Sequence, residues 1–155
     1  IKLKKKLKKE SKMAIQNRIQ KILDEFSKIP DWEARYKRLI DLGKELPAMD
    51  EQNKTDANKV RGCQSQVWLW ANMEADRIIF QADSDASITK GIVALLVNVY
   101  SRSTPDEILI TKPDFLTQLG IREHLSMSRA NGLNAMLKQI TIYAMAFKAK
   151  ASMQK

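Results

Sequence analysis

Val60-Arg61-Gly62-Cys63-Gln64-Ser65-Gln66-Val67-Trp68-Leu69-Trp70-Ala71 is the stretch in which the hydrophobic period of the chain changes from helix to strand. From Val67 onward apolar residues alternate, with Val67, Leu69 and Ala71 on one side of an extended chain and Trp68 and Trp70 on the other. A second run of this kind, Arg77-Ile78-Ile79-Phe80-Gln81-Ala82, follows a turn around Glu74-Ala75-Asp76. The two runs predict an antiparallel hairpin, and Val60 is a candidate to open a third strand. Because both faces of this hairpin carry apolar side chains, the expectation is a sheet covered on two sides with the tryptophans in the core. An exposed tryptophan beside the loop would instead make a docking surface.

Working outward, helical spacing takes over on both flanks. On the N-terminal side, Ile15, Ile19, Ile22, Leu23 and Phe26 define an amphipathic helix that must end before Pro30. Asp31 is placed to cap a second helix, with Trp32, Tyr36, Leu39 and Ile40 on one face and Pro47 closing it. Residues 48–59 are polar and read as a surface loop leading to Cys63. On the C-terminal side, Ile88, Ile92, Leu95, Leu96 and Val99, joined by Val93 and Val97, give a helix apolar nearly all round, which belongs at the centre of a core. Thr104-Pro105-Asp106-Glu107 is a helix start, with a hydroxyl cap, proline at the first helical position and acids in the first turn. A short helix is expected over 114–119, and a long one over 128–150. Helices, then strands, then helices argue for an α+β fold, a small antiparallel sheet packed against several helices, and against repeated βαβ units.

The chain has 155 residues, 44% of them hydrophobic, enough to bury the core of one domain. Its formal charge of +9 is unevenly placed: residues 1–12 hold seven lysines against Glu10 alone. Without that segment 20 basic residues face 17 acidic ones, a net charge of +3. Residues 1–12 are therefore expected to be a basic disordered tail or a leader foreign to the domain, and residues 13–155 a single domain. The alternative is a basic nucleic-acid-binding arm. The apolar run from Ile92 to Val99 is interrupted at Asn98, far short of a bilayer span, so no membrane association is expected. A single cysteine with no disulfide partner fits a reducing compartment, and the cytoplasm is the expected address.

Cys63 is the only sulfur nucleophile. Gly62 frees the backbone beside it, and Arg61 offers a cation to a thiolate, which together favour a reactive thiol at a loop tip. A buried structural cysteine acting as a small hydrophobe is the competing reading. One cysteine and one histidine, His124, cannot fill a four-ligand metal shell, so neither a metal nor a cluster is expected on this chain. His124 has no second feature to mark it as a catalytic base and is read as a hydrogen-bonded structural residue. Asp83 and Asp85 precede the Ile88 helix and are read as N-terminal caps in preference to an acid/base pair. No glycine-rich phosphate loop is present.

In sequence order, Trp32-Glu33-Ala34-Arg35-Tyr36, Leu42-Gly43-Lys44-Glu45-Leu46-Pro47, residues 60–68 with their Gly-Cys-Gln-Ser-Gln-Val-Trp core, Asp83-Ser84-Asp85-Ala86 with Lys90-Gly91, Thr104-Pro105, and 124–133 form a signature. It resembles the SufE family of sulfur acceptors, which assist cysteine desulfurases in iron-sulfur cluster assembly. The resemblance spans residues 13 to about 150. It implies a small curved antiparallel sheet with helices around it, akin to scaffold proteins of the IscU type. It also implies that Cys63 accepts persulfide sulfur from a partner cysteine desulfurase and passes it to an iron-sulfur cluster scaffold, with no bound cofactor and no nucleic acid. On that reading the chain is a sulfur-transfer partner, and a stand-alone enzyme is not implied. Gly62 and Gln64 flank the acceptor, Arg61 is its candidate stabiliser, and Asp85 and Arg129 are carried over as loop-positioning or docking residues. Met127 departs from the family's proline before the Ser-Arg pair. A regulator that docks on the desulfurase without carrying sulfur remains the nearer alternative.

Overall fold

The computed structural model describes residues 14–153; the basic segment 1–12 lies outside them. Two helices open the fold, α1 (Ala14–Ser27) and α2 (Trp32–Glu45). The side chain of Asp31 accepts from the Ala34 N–H at 2.8 Å, the expected N-cap. Two 3-10 turns, Glu51–Asn53 and Asp56–Asn58, give shape to the polar segment that follows, and within it Met49 is buried.

The hairpin forms where the period changes. Strands β1 (Val67–Glu74) and β2 (Arg77–Ser84) pair antiparallel, with Leu69 opposite Ala82 and Ala71 opposite Phe80. Ala75 turns the corner at φ 56°. Alternation sends Val67, Leu69 and Ala71 inward together with Ile78, Phe80 and Ala82. Val60 does not open a third strand: among the described residues the sheet has two strands, and the Val60 N–H bonds singly to Val67 O at 2.8 Å.

Helix α3 (Ser87–Tyr100) runs through the middle of the molecule, and only Ser87, Lys90 and Asn98 in it escape burial. Its contact with α2 is made by two glycines. A Cβ on Gly91 would stand 2.1 Å from Leu39 O, and one on Gly43 would stand 2.9 Å from Gly91 N. Backbone meets backbone there because no side chain intervenes. The chain then makes α4 (Pro105–Ile110), opened by a complete capping box between Thr104 and Glu107. Short α5 (Asp114–Gln118) and α6 (Ile121–His124) follow, and the long α7 (Met127–Met153) closes the fold. Tyr143 on α7 donates its hydroxyl to Leu69 O on β1 at 2.9 Å, tying the last helix to the sheet. The architecture is α+β, as the order of periods predicts.

Trp68 and Trp70 are half-buried and stand outside the core. The outer face of the hairpin is covered by the lysines of the preceding segment: the ammonium groups of Lys54 and Lys59 each lie 5.9 Å from the centre of the Trp68 ring. Long side chains with charged ends do the covering that a second apolar layer was expected to do.

Candidate functional site

Residues 61–66 form a loop whose two ends are tied together. Beyond the Val60 to Val67 bond, Gln66 and Asp85 pair in both directions. The Gln66 N–H donates to Asp85 Oδ1 at 3.0 Å, and the Asp85 N–H donates to Gln66 O at 3.3 Å. Asp85 therefore holds the root of the loop and does not cap α3. Asp83 does not cap it either. Its carboxylate takes Lys54 at 2.6 Å and Lys90 at 3.3 Å, and the Ser84 N–H at 2.8 Å. Burial pushes that carboxyl up, yet the hydrogen bonds from Lys54 and Ser84 and the charge of Lys90 outweigh it, holding the group below the usual carboxylate range. Both aspartates precede the helix in sequence while the hairpin turns their side chains elsewhere. The α3 N-terminus, at Ala86, has no side-chain cap.

The loop lies down on α7. Gly62 has φ +97°, a conformation other residues rarely adopt, and a Cβ there would meet Ala135 Cβ at 3.4 Å. Next to it Cys63 packs against Gly132: its Sγ donates to Gly132 O at 3.6 Å, and a Cβ on Gly132 would stand 3.3 Å from that sulfur. A glycine in mid-helix costs about 1 kcal/mol relative to alanine. Here it leaves room for the sulfur. Cys63 is half-buried, and burial pushes its thiol above the ordinary value. Among the described residues no neighbouring charge opposes that shift. Arg61 is exposed and makes no hydrogen bond or ion pair among the described residues, so in this arrangement of the loop the thiol is held neutral.

Cys63 is shared by two hollows. One of about 230 Å³ is enclosed by the loop itself, from Lys59 to Val67, and includes Arg61 and Gly62. The other, of about 380 Å³, lies between the loop, α3 and the start of α7. Its walls are Cys63, Gln64 and Ser65 from the loop, Ala86, Thr89 and Ile92 from α3, Ser126 before α7, and Ser128, Arg129, Gly132 and Met136 on it. The structure thus gathers Cys63, Gln64 and Arg129 around one cavity, sets Arg61 and Gly62 at the other hollow, and keeps Asp85 at the root of the loop. Gly132, Thr89 and Met136 were not anticipated. For Gly132 the signal was present, a glycine inside an otherwise unbroken helical pattern.

His124 does not line either hollow. Its Nδ1 lies 2.8 Å from Gly120 O, its ring stacks on Trp32 at 4.1 Å between centroids, and its carbonyl accepts from the Tyr36 hydroxyl at 2.7 Å. This is the structural histidine the sequence suggests. Among the described residues no cluster of three or more His, Cys, Asp or Glu side chains could hold a metal ion, and no helix is long and apolar enough to cross a membrane.

Comparison with known proteins agrees with this fold. The family model of the SufE Fe-S metabolism associated domain matches residues 20–144. An uncharacterized SufE-like protein of Rhizobium meliloti (strain 1021) is 41% identical over 127 residues, covering 79% of this chain and 91% of that protein. An uncharacterized SufE-like protein of Synechocystis sp. (strain ATCC 27184 / PCC 6803 / Kazusa) is 41% identical over 129 residues, covering 83% of this chain and 81% of the relative. The SufE-like protein 1 of Arabidopsis thaliana, described as chloroplastic/mitochondrial, is 44% identical over 122 residues, which are 78% of this chain and a 33% share of the plant protein. A solution structure of a hypothetical protein from Thermus thermophilus shares the fold with a TM-score of 0.70 at 21% identity, over 83% of this chain and 94% of that one. With a family model across most of its length and full-domain relatives above 40% identity, the chain belongs to the SufE family, whose domain is associated with Fe-S metabolism.

Proposed function

We propose that the chain is the sulfur acceptor of a cysteine desulfurase and that Cys63 carries the sulfur to an iron-sulfur cluster scaffold. The observation that carries this reading is the seat of Cys63, the single thiol of the chain, on a loop tied at both ends and resting on a glycine of α7. In the transfer, the Cys63 thiolate attacks the outer sulfur of a persulfide on the desulfurase. A new S–S bond forms at Cys63, the partner's S–S bond breaks, and the partner's own sulfur leaves as a thiolate with the electron pair. No net oxidation occurs and no cofactor is consumed. The reaction suits a reducing compartment such as the cytoplasm.

A buried neutral thiol is a poor nucleophile, so the loop must lift from α7 for attack. Arg61, exposed on the same loop, is then available to stabilise the thiolate, while Asp85 keeps the loop's root in place. Arg129 and Gln64 stand at the mouth of the cavity, where the partner would dock.

The test is intact-protein mass spectrometry after incubation with a cysteine desulfurase and free cysteine. The wild-type chain should gain the mass of one sulfur atom on Cys63, and Cys63→Ser should gain none while keeping its fold. A serine variant that still sustains sulfur delivery would sink the acceptor role. Stimulation of the desulfurase without any gain of mass on the wild type would point to the docking regulator instead.

A further inference from the structure

Direct passage of sulfur from one protein to another sets a geometric condition on the surface around Cys63. The donor's outer sulfur must come within about 3.5 Å of Sγ, so the donor's surface covers whatever surrounds the loop. A stable interface of ordinary size takes about 800 Å² from each partner, a patch about 16 Å in radius. Most of its energy comes from a few large side chains near the centre. Among the described residues the exposed large hydrophobic side chains are Ile110, Met127, Ile142, Met145 and Met153. Cys63 rests on Gly132 of α7, which fixes where the patch is centred. At a helical rise of about 1.5 Å per residue, Met127 lies about 7.5 Å along the axis from that seat, Ile142 about 15 Å, Met145 about 20 Å and Met153 about 32 Å. Ile110 ends α4, whose Asp106 pairs with Lys148 toward the far end of α7. Met127, 83% exposed, is therefore the large apolar side chain of α7 that falls well inside the patch.

Met127 is also held in place. Ser126 caps α7, its Oγ accepting from the Arg129 N–H at 3.4 Å and its carbonyl from the Ala130 N–H at 2.9 Å. Ser126 and Ser128, on either side of Met127, both line the cavity beside Cys63, while Met127 does not. The rim of the cavity thus carries a methionine whose side chain stands in solvent. An unbranched thioether suits an interface, being apolar and able to adapt its shape to a partner. We infer that Met127 is the apolar anchor by which the desulfurase docks over Cys63. The partner's matching face is an apolar hollow edged by acidic side chains, since the exposed Arg61 and Arg129 line the two hollows beside Cys63. The inference rests on the acceptor reading and supplies what that reading leaves open, which side chain holds the partner. Met127 is a positioning residue: it binds the donor protein and leaves the sulfur exchange itself to Cys63.

The experiment follows the gain of one sulfur by the full chain from a cysteine desulfurase and free cysteine, at varied chain concentration, for wild type, Met127→Ala, Met127→Glu, Met127→Leu and Met153→Ala. Met153, 86% exposed on the same helix and far from Cys63, is the matched control. Met127→Ala should raise the KM for the chain about five- to thirtyfold, the range of a lost anchor residue, with kcat unchanged. Met127→Glu should raise it further, Met127→Leu should restore the wild-type value, and Met153→Ala should leave it unchanged. A second arm loads each chain with inorganic polysulfide, from which the Cys63 thiolate takes one outer sulfur and releases the shortened polysulfide. That rate should be the same in all of them, because no protein partner docks. A wild-type KM in both Met127→Ala and Met127→Glu would overturn the inference, and so would equal slowing of polysulfide loading, which marks an effect through the loop. Failure of the desulfurase to load the wild-type chain would strike the acceptor reading and the anchor with it, whereas normal loading of wild type beside an indifferent Met127→Glu strikes the anchor alone.

Discussion

The thiol of Cys63 is controlled by a residue 69 positions away in sequence, Gly132. Burial raises its pKa, so folding stabilises the neutral form. That contribution is complete below the unfolded chain's thiol pKa and is lost as pH rises through the higher native value. Alkylation of the native protein should therefore lag behind that of the unfolded chain at a given pH and reach its plateau at higher pH. Gly132→Ala should move both readouts toward an ordinary thiol. Its Cβ would sit 3.3 Å from Sγ, tight enough to push the loop outward by a few tenths of an ångström. The helix gains up to about 1 kcal/mol from the substitution, which offsets the crowding, so stability should barely change while alkylation quickens. Unchanged alkylation would mean the loop gives way without exposing its sulfur. The sequence made Cys63 and its neighbours legible, because a glycine and a single cysteine before a strand are local facts. Gly132 and Thr89 were not legible as its surroundings, since their proximity exists only once α3 and α7 pack against the loop.

Elements were legible where their signals are local and less so where partners are distant. The Asp31 cap, the Thr104 hydroxyl cap with Pro105 behind it and the changes of period between helix and strand all act within a turn or two of chain, and each appears where expected. Asp83 and Asp85 were misread for the complementary reason. Proximity in sequence to a helix start does not say which way a side chain leaves the strand before it, and here it leaves toward Lys54, Lys90 and the Gln66 backbone. The close approach of α2 and α3 follows the same logic. Leu42-Gly43 and Lys90-Gly91 mark the two helices in the sequence, but only the packed structure brings the glycines face to face. Gly91→Ala should be strongly destabilising, because its Cβ would overlap a backbone carbonyl at 2.1 Å that no rotamer change can move. Overpacking of this kind costs about 1–3 kcal/mol or more, against the roughly 1 kcal/mol a helical alanine returns. A thermal or denaturant melt should show a clear loss of stability, and a variant as stable as wild type would mean the helices can separate freely.

At the scale of the whole molecule, charge and chemistry are separated along the chain. Residues 1–12 contribute six of the nine net positive charges, and the rest of the sequence carries +3. The arginines near Cys63, Arg61 and Arg129, belong to that nearly balanced remainder and act over short range, since screening limits exposed charges to about 8 Å at physiological ionic strength. Two functions can thus be dissected by a single truncation that begins the chain at Met13. If the lysine segment binds nucleic acid, the full chain should bind a generic duplex with steep salt dependence, and the truncated chain should lose that binding. If Cys63 and its cavity are the working site, truncation should leave sulfur loading from a desulfurase at its wild-type rate and extent while only retention on a cation exchanger falls. The second outcome is the one expected, because every group assigned to the transfer, from Arg61 to Arg129, lies in the part that remains. Loss of sulfur loading on truncation would overturn that assignment and make the basic segment part of the docking surface.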